Sequence, residues 1–198
     1  GRRKGDTEMF SYVDKDGNKE INEADRYIIG DPNPDIYGNI NMKFHFGQNW
    51  TLATNFNYCL GNDVYNYQRS VLEGGSNFIN QTKAMNRHWT AEGQVTDIPQ
   101  IVYQDPMGNS RFSDRWIEDG SFLKLKTLTL SYQVPLGENI PLLRGVEVYA
   151  TGNNLFTVTK YLGYDPESNL SQNPLYYGID TGATPQAASV LFGLRIAL

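Results

Sequence analysis

Apolar and polar residues alternate along five segments of the chain, and alternation with a period of two residues is typical of β-strands that have one apolar and one polar face. The first segment, 38–46, shows the pattern clearly, because one of its faces would carry Ile40, Met42, Phe44 and Phe46. The other predicted strands are 50–60, 122–134, 146–154 and 190–198. This pattern predicts an all-β fold.

The segment 122–134 contains one break in its alternation. Its alternating apolar residues are Leu123 and Leu125, at odd positions, and then Leu128, Leu130, Tyr132 and Val134, at even positions. One inserted residue reverses the parity of every residue after it, so a β-bulge near Lys126 and Thr127 would keep all of these side chains on one face. We therefore predict a bulge at this point of the strand.

The connections between the predicted strands alternate strictly between short and long. Residues 47–49 and 135–145 form short links, whereas 61–121 and 155–189 run to tens of residues. Loops of that length are uncommon in compact soluble domains, but outer-membrane barrels combine short periplasmic turns with long extracellular loops. The spacing favours an antiparallel transmembrane β-barrel. A soluble, calcium-stabilised, carbohydrate-binding β-sandwich with two large loops at one end is the alternative.

Composition narrows the class of protein further. The 198 residues include 22 acidic and 17 basic side chains, giving a net charge of -5, which is the wrong sign for a protein that binds nucleic acid. A single cysteine, Cys59, excludes an internal disulfide and a cysteine-rich zinc site. No apolar run approaches the roughly 20 residues of a transmembrane helix. The chain begins at Gly1 rather than Met, so we expect it to be part of a longer protein.

Residues 14–25 have the spacing of an EF-hand calcium loop. Side-chain oxygens occupy loop positions 1, 3, 5, 9 and 12, and the carbonyl at position 7 can complete the set that Ca²⁺ prefers. The candidate ligands are Asp14, Asp16, Asn18, Asn22 and Asp25 through their side chains and Glu20 through its carbonyl oxygen. The sequence departs from the usual pattern where Lys19 replaces the glycine of the sharp turn and Asp25 replaces the final Glu. The alternative is an acidic, exposed turn.

No arrangement of residues indicates an enzyme. His45 and His88 are isolated, and the carboxylates between 105 and 119 match no paired acid and base spacing. The aromatic residues of the long connections either stack on sugar rings or pack inside the loops, and we favour packing for each one taken singly. They are Trp89, Tyr103, Trp116, Tyr161, Tyr164, Tyr176 and Tyr177.

Several stretches, taken together, resemble one protein family. They read DKDGNKEINEAD, IGDPNPDIYGNI, NRHWT, SDRWIEDGSFLKLKTLTLSYQVP, VYATGNNLFTVTKYLGYDPES and GIDTGATPQAASVLFGLRIAL. Spread over nearly the whole chain, they resemble the C-terminal end of SusC/RagA-type TonB-dependent outer-membrane transporters of Bacteroidetes. The resemblance implies that residues 1–198 supply the last five strands of a plugged barrel of about 22 strands, surrounded by outer-membrane lipid.

The same resemblance implies a function in nutrient import. The ligand would be an oligosaccharide, or in some cases a peptide, captured together with a SusD-like surface lipoprotein. Energy would arrive through TonB, which would contact an N-terminal part of the longer protein. This chain would contribute lipid-facing wall, polar lumen and extracellular loops, and it would carry out no chemistry of its own.

Overall fold

The chain forms eight β-strands and little helix in a computed structural model that describes residues 11–137, 143–167 and 174–198. The strands, in chain order, are β1 (Ile36–Phe46), β2 (Trp50–Leu60), β3 (Asp63–Asn66), β4 (Ile117–Asp119), β5 (Phe122–Val134), β6 (Gly145–Thr159), β7 (Ile179–Asp180) and β8 (Ser189–Ala197). The helical elements are one short α-helix, α1 (Tyr67–Leu72), and the 3-10 helices Glu23–Asp25, Lys83–Arg87, Asp114–Trp116 and Pro174–Tyr176. Among the described helices, none has the length and apolar character needed to cross a membrane.

Two compact units make up the chain. The unit that we call the strand unit contains Pro34–Gly61, Gly120–Lys160 and Thr184–Leu198. The other, which we call the loop unit, contains Gly1–Asn33, Asn62–Asp119 and Tyr161–Ala183. The loop unit is therefore built from the N-terminal segment and most of the two long connections.

The strand unit is one antiparallel sheet with the order β1-β2-β5-β6-β8. The all-β prediction and the sequential order of five antiparallel strands are confirmed. The bounds of β2 and β5 match the prediction, β1 begins two residues earlier at Ile36, and β8 runs one residue earlier at both ends.

The prediction for β6 was too short. We ended this strand at Asn154, but it continues to Thr159, and the second long connection therefore begins at residue 160 rather than 155. Asn154 has a φ of 49°, a left-handed conformation that Asn adopts more readily than most residues. The strand passes through this irregularity and then resumes its alternation with Phe156 and Val158.

The predicted bulge in β5 is confirmed. Asn55 of β2 pairs with Thr127 and the next residue, Phe56, pairs with Leu125, so Lys126 is the extra residue. The neighbouring strand β6 adds one more residue at the same place, because Thr127 pairs with Asn153 and Leu125 with Phe156. The extra residues keep the apolar side chains of three strands on one face despite the change of parity in β5.

The register gives the sheet two chemically different faces, because residues directly opposite each other in an antiparallel pair share a face. One row across the sheet consists of Phe44, Leu52, Leu130, Ala150 and Phe192. The adjacent row, on the opposite face, consists of Lys43, Ala53, Thr129, Thr151 and Leu191. The prediction that the apolar residues of the first and last strands share one surface is confirmed.

The loop unit contains a small mixed sheet that the sequence pattern did not predict. Strand β3 pairs with β4 in antiparallel fashion and with β7 in parallel, in the order β4-β3-β7. Since β3 and β4 belong to the first long connection and β7 to the second, the two connections are joined by backbone pairing. Between residues 63 and 89 the loop unit also contains α1 and the 3-10 helix Lys83–Arg87.

Candidate functional surfaces

Much of the apolar face of the strand unit is exposed, although Leu125 on the same face is buried. The side chains of this face include Phe192, which is 83% exposed, Val190 at 61%, Leu194 at 58% and Phe46 at 51%. A continuous exposed surface of this kind is unusual for a soluble protein and marks a contact with lipid or with another protein. A β-sandwich would instead bury this face against a second sheet.

The dimensions of the sheet suit a bilayer. A strand of 11 residues such as β2 is about 37 Å long, and a tilt of ~45° would let it cross about 26 Å. That height agrees with the apolar band of ~25 Å on outer-membrane barrels. At the end of the sheet with the short turns, Phe46, Trp50 and Tyr132 form an aromatic row, with the Trp50 and Tyr132 ring centroids 4.6 Å apart. Aromatic girdles stand at this level in such barrels.

Hydrogen-bonding side chains cover the opposite face. The Asn55 side-chain amide donates to Asn41 Oδ1 at 2.6 Å, and the hydroxyls of Thr129 and Thr151 lie 2.9 Å apart. Nearer the short turns, Arg195 pairs with Glu147 at 2.6 Å. Polar side chains of neighbouring strands therefore hydrogen-bond or form ion pairs with one another, as expected for a face that lines a water-filled lumen.

Aromatic residues form much of the core of the loop unit. Trp116 is fully buried, and Trp89 and Tyr161 are buried as well. For these three residues the packing interpretation is confirmed. The other four aromatics named from the sequence, Tyr103, Tyr164, Tyr176 and Tyr177, are exposed.

Arg69, at the start of the last turn of α1, organises an ion cluster beside this core. Its guanidinium lies 2.8 Å from Glu73 and 2.6 Å from Glu118. Burial alone would lower the pKa of Arg69, but the hydrogen bonds to Glu118 and Glu73 outweigh it and raise the pKa above the ordinary value. The ion pair between Arg69 and Glu118 therefore connects α1 to β4.

The same cluster reaches the second long connection. The backbone N–H of Leu162 donates to Glu118 Oε2 at 2.9 Å. Next to it, the Tyr161 hydroxyl donates to Asp180 Oδ2 at 2.6 Å, with both residues buried. Burial, and then the hydrogen bond to Asp180, raise the pKa of Tyr161 well above its usual value, so the phenol keeps its proton. Apart from the spacing of four residues between Arg69 and Glu73, no sequence pattern predicts these pairings.

The candidate calcium loop folds back on itself. Carboxylate oxygens of Asp14, Asp16 and Asp25 lie within 4.8 Å of one another. Lys19, at the position where we expected a glycine to be needed, has a φ of 69° and makes the sharp turn itself. Backbone N–H groups, first that of Asn22 and then that of Lys15, hydrogen-bond to Asp25 and lower the pKa of its carboxyl. The three acids therefore form one compact anionic group.

The other three candidate ligands have local hydrogen-bond partners. Asn18 Oδ1 accepts from the Glu20 N–H at 2.7 Å, and Asn22 Oδ1 caps the following 3-10 helix by accepting from the Ala24 N–H at 2.8 Å. The Glu20 carbonyl accepts from the Asn22 side-chain amide at 3.5 Å. In this conformation the loop is held by its own amide and carboxylate groups.

The side chains of the two histidines make local contacts. His45 Nδ1 lies 3.0 Å from the Thr51 hydroxyl across the first hairpin, and His88 Nδ1 lies 2.7 Å from the Met85 carbonyl. Each contact stabilises a turn or strand pair of the chain itself.

Comparisons with known proteins identify relatives along nearly the whole chain. No model of a protein family matches it. The chain is 34% identical over 193 residues to TonB-dependent receptor P3 of Formosa agariphila, which covers 93% of the chain and 18% of that receptor. It is 28% identical over 187 residues to TonB-dependent receptor SusC of Bacteroides thetaiotaomicron, covering 93% of the chain and 17% of SusC.

Solved structures agree with these sequence matches. The RagAB peptide transporter matches 98% of the chain and 22% of its own, with a TM-score of 0.80 and 25% identity. The RagAB peptide importer in its open-open state matches 100% of the chain and 22% of its own, with a TM-score of 0.78 and 26% identity. The chain is thus a relative of the TonB-dependent receptors of the SusC and RagA kind, as the resemblance implied.

These similarities also confirm the predicted class of fold, in which the five antiparallel strands are part of a barrel protein's sheet. The chain spans about a fifth of the length of the proteins it matches. The matched proteins are named as receptors and as a peptide importer or transporter, not as enzymes.

Proposed function

We propose that this chain forms part of the wall and outer rim of an outer-membrane TonB-dependent transporter that imports a nutrient. The observation that carries the proposal is the continuous exposed apolar face of the strand unit, which backs onto a polar face. Lipid would cover the apolar face, and the polar face would line the interior of the barrel. A soluble carbohydrate-binding sandwich would need a second sheet over these side chains. The similarity to TonB-dependent receptors supports the same function.

The lengths of the connections give the orientation of the strands. The turn 47–49 and the link between β5 and β6 leave one end of the sheet, and both long connections leave the other end. Short turns are periplasmic and long loops extracellular in outer-membrane barrels. The N-terminal segment enters β1 at the end where the long connections leave, so the loop 14–25 would also lie outside the cell.

The partners and ligand follow from the same proposal. A SusD-like surface lipoprotein would capture the ligand together with the long connections, and TonB would act through another part of the longer protein. The ligand would be an oligosaccharide or a peptide. The naming of RagAB as a peptide importer supports a peptide ligand. A glycan is the other candidate ligand.

Removing the first long connection should impair import. Deleting residues 62–120 would join Gly61 to Ser121, whose hydroxyl already accepts a hydrogen bond from the Gly61 N–H at 3.0 Å. We expect uptake to fall about tenfold or more, which corresponds to ~1.4 kcal/mol, while the protein stays in the outer membrane. Uptake is measured on cells with two probes, a fluorescent peptide mixture and a fluorescent oligosaccharide mixture. The probe that wild-type cells import identifies the ligand class.

A short Gly-Ser insertion after Gly137, in the opposite turn, is the control and should leave uptake near the wild-type level. Co-purification of a surface lipoprotein with each variant gives a second readout. Equal uptake with and without the complete parent protein, for both probes and under nutrient limitation, would contradict the proposed function.

We also propose that the loop 14–25 binds one Ca²⁺ ion and that the ion orders this extracellular segment rather than taking part in chemistry. The clustered acids Asp14, Asp16 and Asp25 support this proposal, because hard oxygen donors suit Ca²⁺. Asn18 and Asn22, with the Glu20 carbonyl, would complete the ligand set after their present hydrogen bonds rearrange. The role of these residues would be structural.

Calorimetric titration of the full-length protein with Ca²⁺ tests this site. Replacing Asp16 by alanine should weaken binding about tenfold or more, since it removes one charged ligand. Glu20→Ala is the matched control, because it also removes one negative charge but leaves the carbonyl ligand in place, and it should bind nearly as the wild type does. Absence of a binding heat, or equal loss in both variants, would contradict a calcium site at this loop.

A further inference from the structure

The two long connections are joined by their backbones inside the loop unit. Strand β3 of the first connection runs parallel to β7 of the second, with Tyr65 opposite Ile179 and Asn66 opposite Asp180. The Tyr65 N–H donates to the Gly178 carbonyl at 2.8 Å. These segments are more than a hundred residues apart in the chain. Moving the two connections apart would break the backbone pairing between β3 and β7.

Buried side chains reinforce this junction. Glu118 of the first connection accepts hydrogen bonds from both Arg69 and the Leu162 N–H of the second. Within the second connection, Tyr161 and Asp180 hydrogen-bond to each other and are both buried. Opening the junction would separate the Leu162 N–H from the Glu118 carboxylate, which lies in a poorly solvated place.

The N-terminal segment closes the same junction. The Asp63 N–H donates to the Asp31 carbonyl at 2.8 Å, and the Asp31 N–H donates to Asp63 Oδ2 at 3.0 Å. Gly178 packs so closely against Pro32 that a β-carbon at Gly178 would clash with it. Three separate pieces of chain therefore meet at β3.

We propose that the two long connections form one preassembled body that stays closed through the transport cycle and moves as a single piece. Ligand would then enter by motion of this body as a whole or of other parts of the transporter, and not by separation of the connections from each other. The inference rests on the proposed function for the existence of a transport cycle. The closed state itself rests on the pairing of β3 with β7 and on the buried groups around it.

A disulfide across the junction tests this proposal in the full-length protein. The variant Tyr65→Cys with Ile179→Cys, made in a Cys59→Ser background, would link the first connection to the second. The matched control, Tyr65→Cys with Ile117→Cys, uses the antiparallel partner of Tyr65 and links β3 to β4 within the first connection. Paired strands bring α-carbons within the range of a disulfide. Both variants lose the same tyrosine and one isoleucine, so they differ in which isoleucine is replaced and in what the disulfide joins.

We expect both pairs to oxidise with copper phenanthroline on intact cells, and uptake of the imported probe mixture to stay within about twofold of that of the same variant after reduction. A tenfold or greater loss of uptake on oxidising the 65/179 pair, reversed by dithiothreitol and absent from the 65/117 pair, would overturn the proposal. Failure of the 65/179 pair to oxidise while the control pair does would overturn it too.

The proposed function and this inference can be contradicted by different results. If wild-type cells import neither probe mixture, the transport proposal is contradicted and the closed junction is tested by hydrogen exchange. A closed body then requires backbone amides 64–66 and 179–180 to be protected together, with protection of both segments lost in Glu118→Ala. Fast exchange at 179–180 beside slow exchange at 64–66 in the wild type would contradict it.

Discussion

Replacing Trp116 with alanine is expected to destabilise the loop unit by about 3–5 kcal/mol, the usual cost of removing a large buried aromatic side chain. Trp116 is 0% exposed, and its indole N–H donates to the Arg111 carbonyl at 3.1 Å. The Arg115 guanidinium lies 4.3 Å from the ring centroid. Because whole domains are stable by only about 5–15 kcal/mol, a loss of this size should expose the connections to protease.

Limited trypsin digestion of intact cells measures this effect. Cleavage within residues 62–119 should become much faster in the variant, at exposed basic residues such as Lys83 and Arg87, while the amount of protein in the outer membrane changes little. Phe78→Ala is the control, since Phe78 is 89% exposed and its removal leaves no cavity. Equal cleavage rates in the wild type and in Trp116→Ala would show that Trp116 is not the centre of this core.

A charge placed on the apolar face of the strand unit should impair membrane insertion. Phe192→Arg puts a guanidinium on that face at mid-strand, where lipid exposure of Arg costs about 2–4 kcal/mol. Leu191→Arg is a matched control, because Leu191 is the neighbouring residue, is also exposed, and points to the polar face. We expect Phe192→Arg to lower the yield of protein folded into lipid vesicles severalfold, and Leu191→Arg to behave nearly as the wild type does.

Unfolding in denaturant from the same vesicles gives the free-energy difference between the two arginine variants. A difference near zero would mean that the two faces meet the same environment, which a lipid-facing wall does not allow. A larger loss for Leu191→Arg would mean that the faces are assigned the wrong way round.

The strands could be predicted because the alternation that defines each strand lies within its own residues. In β2, alternation from Trp50 to Leu60 sets both the face of each residue and the bounds of the strand. In β5 the change of parity at Lys126 was enough to predict the bulge, since only an inserted residue reconciles Leu125 with Leu128 on one face. The end of β6 was not predictable in the same way, because Asn154 interrupts the strand without ending it.

Most of the structure of the loop unit could not be predicted from the sequence. The pairing of Tyr65 with Ile179 joins short segments that carry no alternation of their own, and strands of two to four residues have no usable period. The contacts between Glu118 and Leu162 and between Tyr161 and Asp180 depend on the fold of the whole unit. The candidate calcium loop differs from the loop unit's other features, because its spacing of oxygen-bearing residues lies within twelve consecutive residues and could be recognised in the sequence. The left-handed turn at Lys19 could be seen only in the structure.

In the proposed orientation the five strands cross the outer membrane and both long connections lie outside the cell. Cysteine labelling of the full-length protein in a Cys59→Ser background tests this orientation. Ala91 is an exposed residue of the first long connection, and Gly137 lies in the opposite turn with open space at its β-carbon. A membrane-impermeant maleimide should label Ala91→Cys on intact cells and Gly137→Cys only after the outer membrane is permeabilised. Labelling of Gly137→Cys but not Ala91→Cys on intact cells would contradict the orientation, and equal labelling of both would contradict a membrane-crossing sheet.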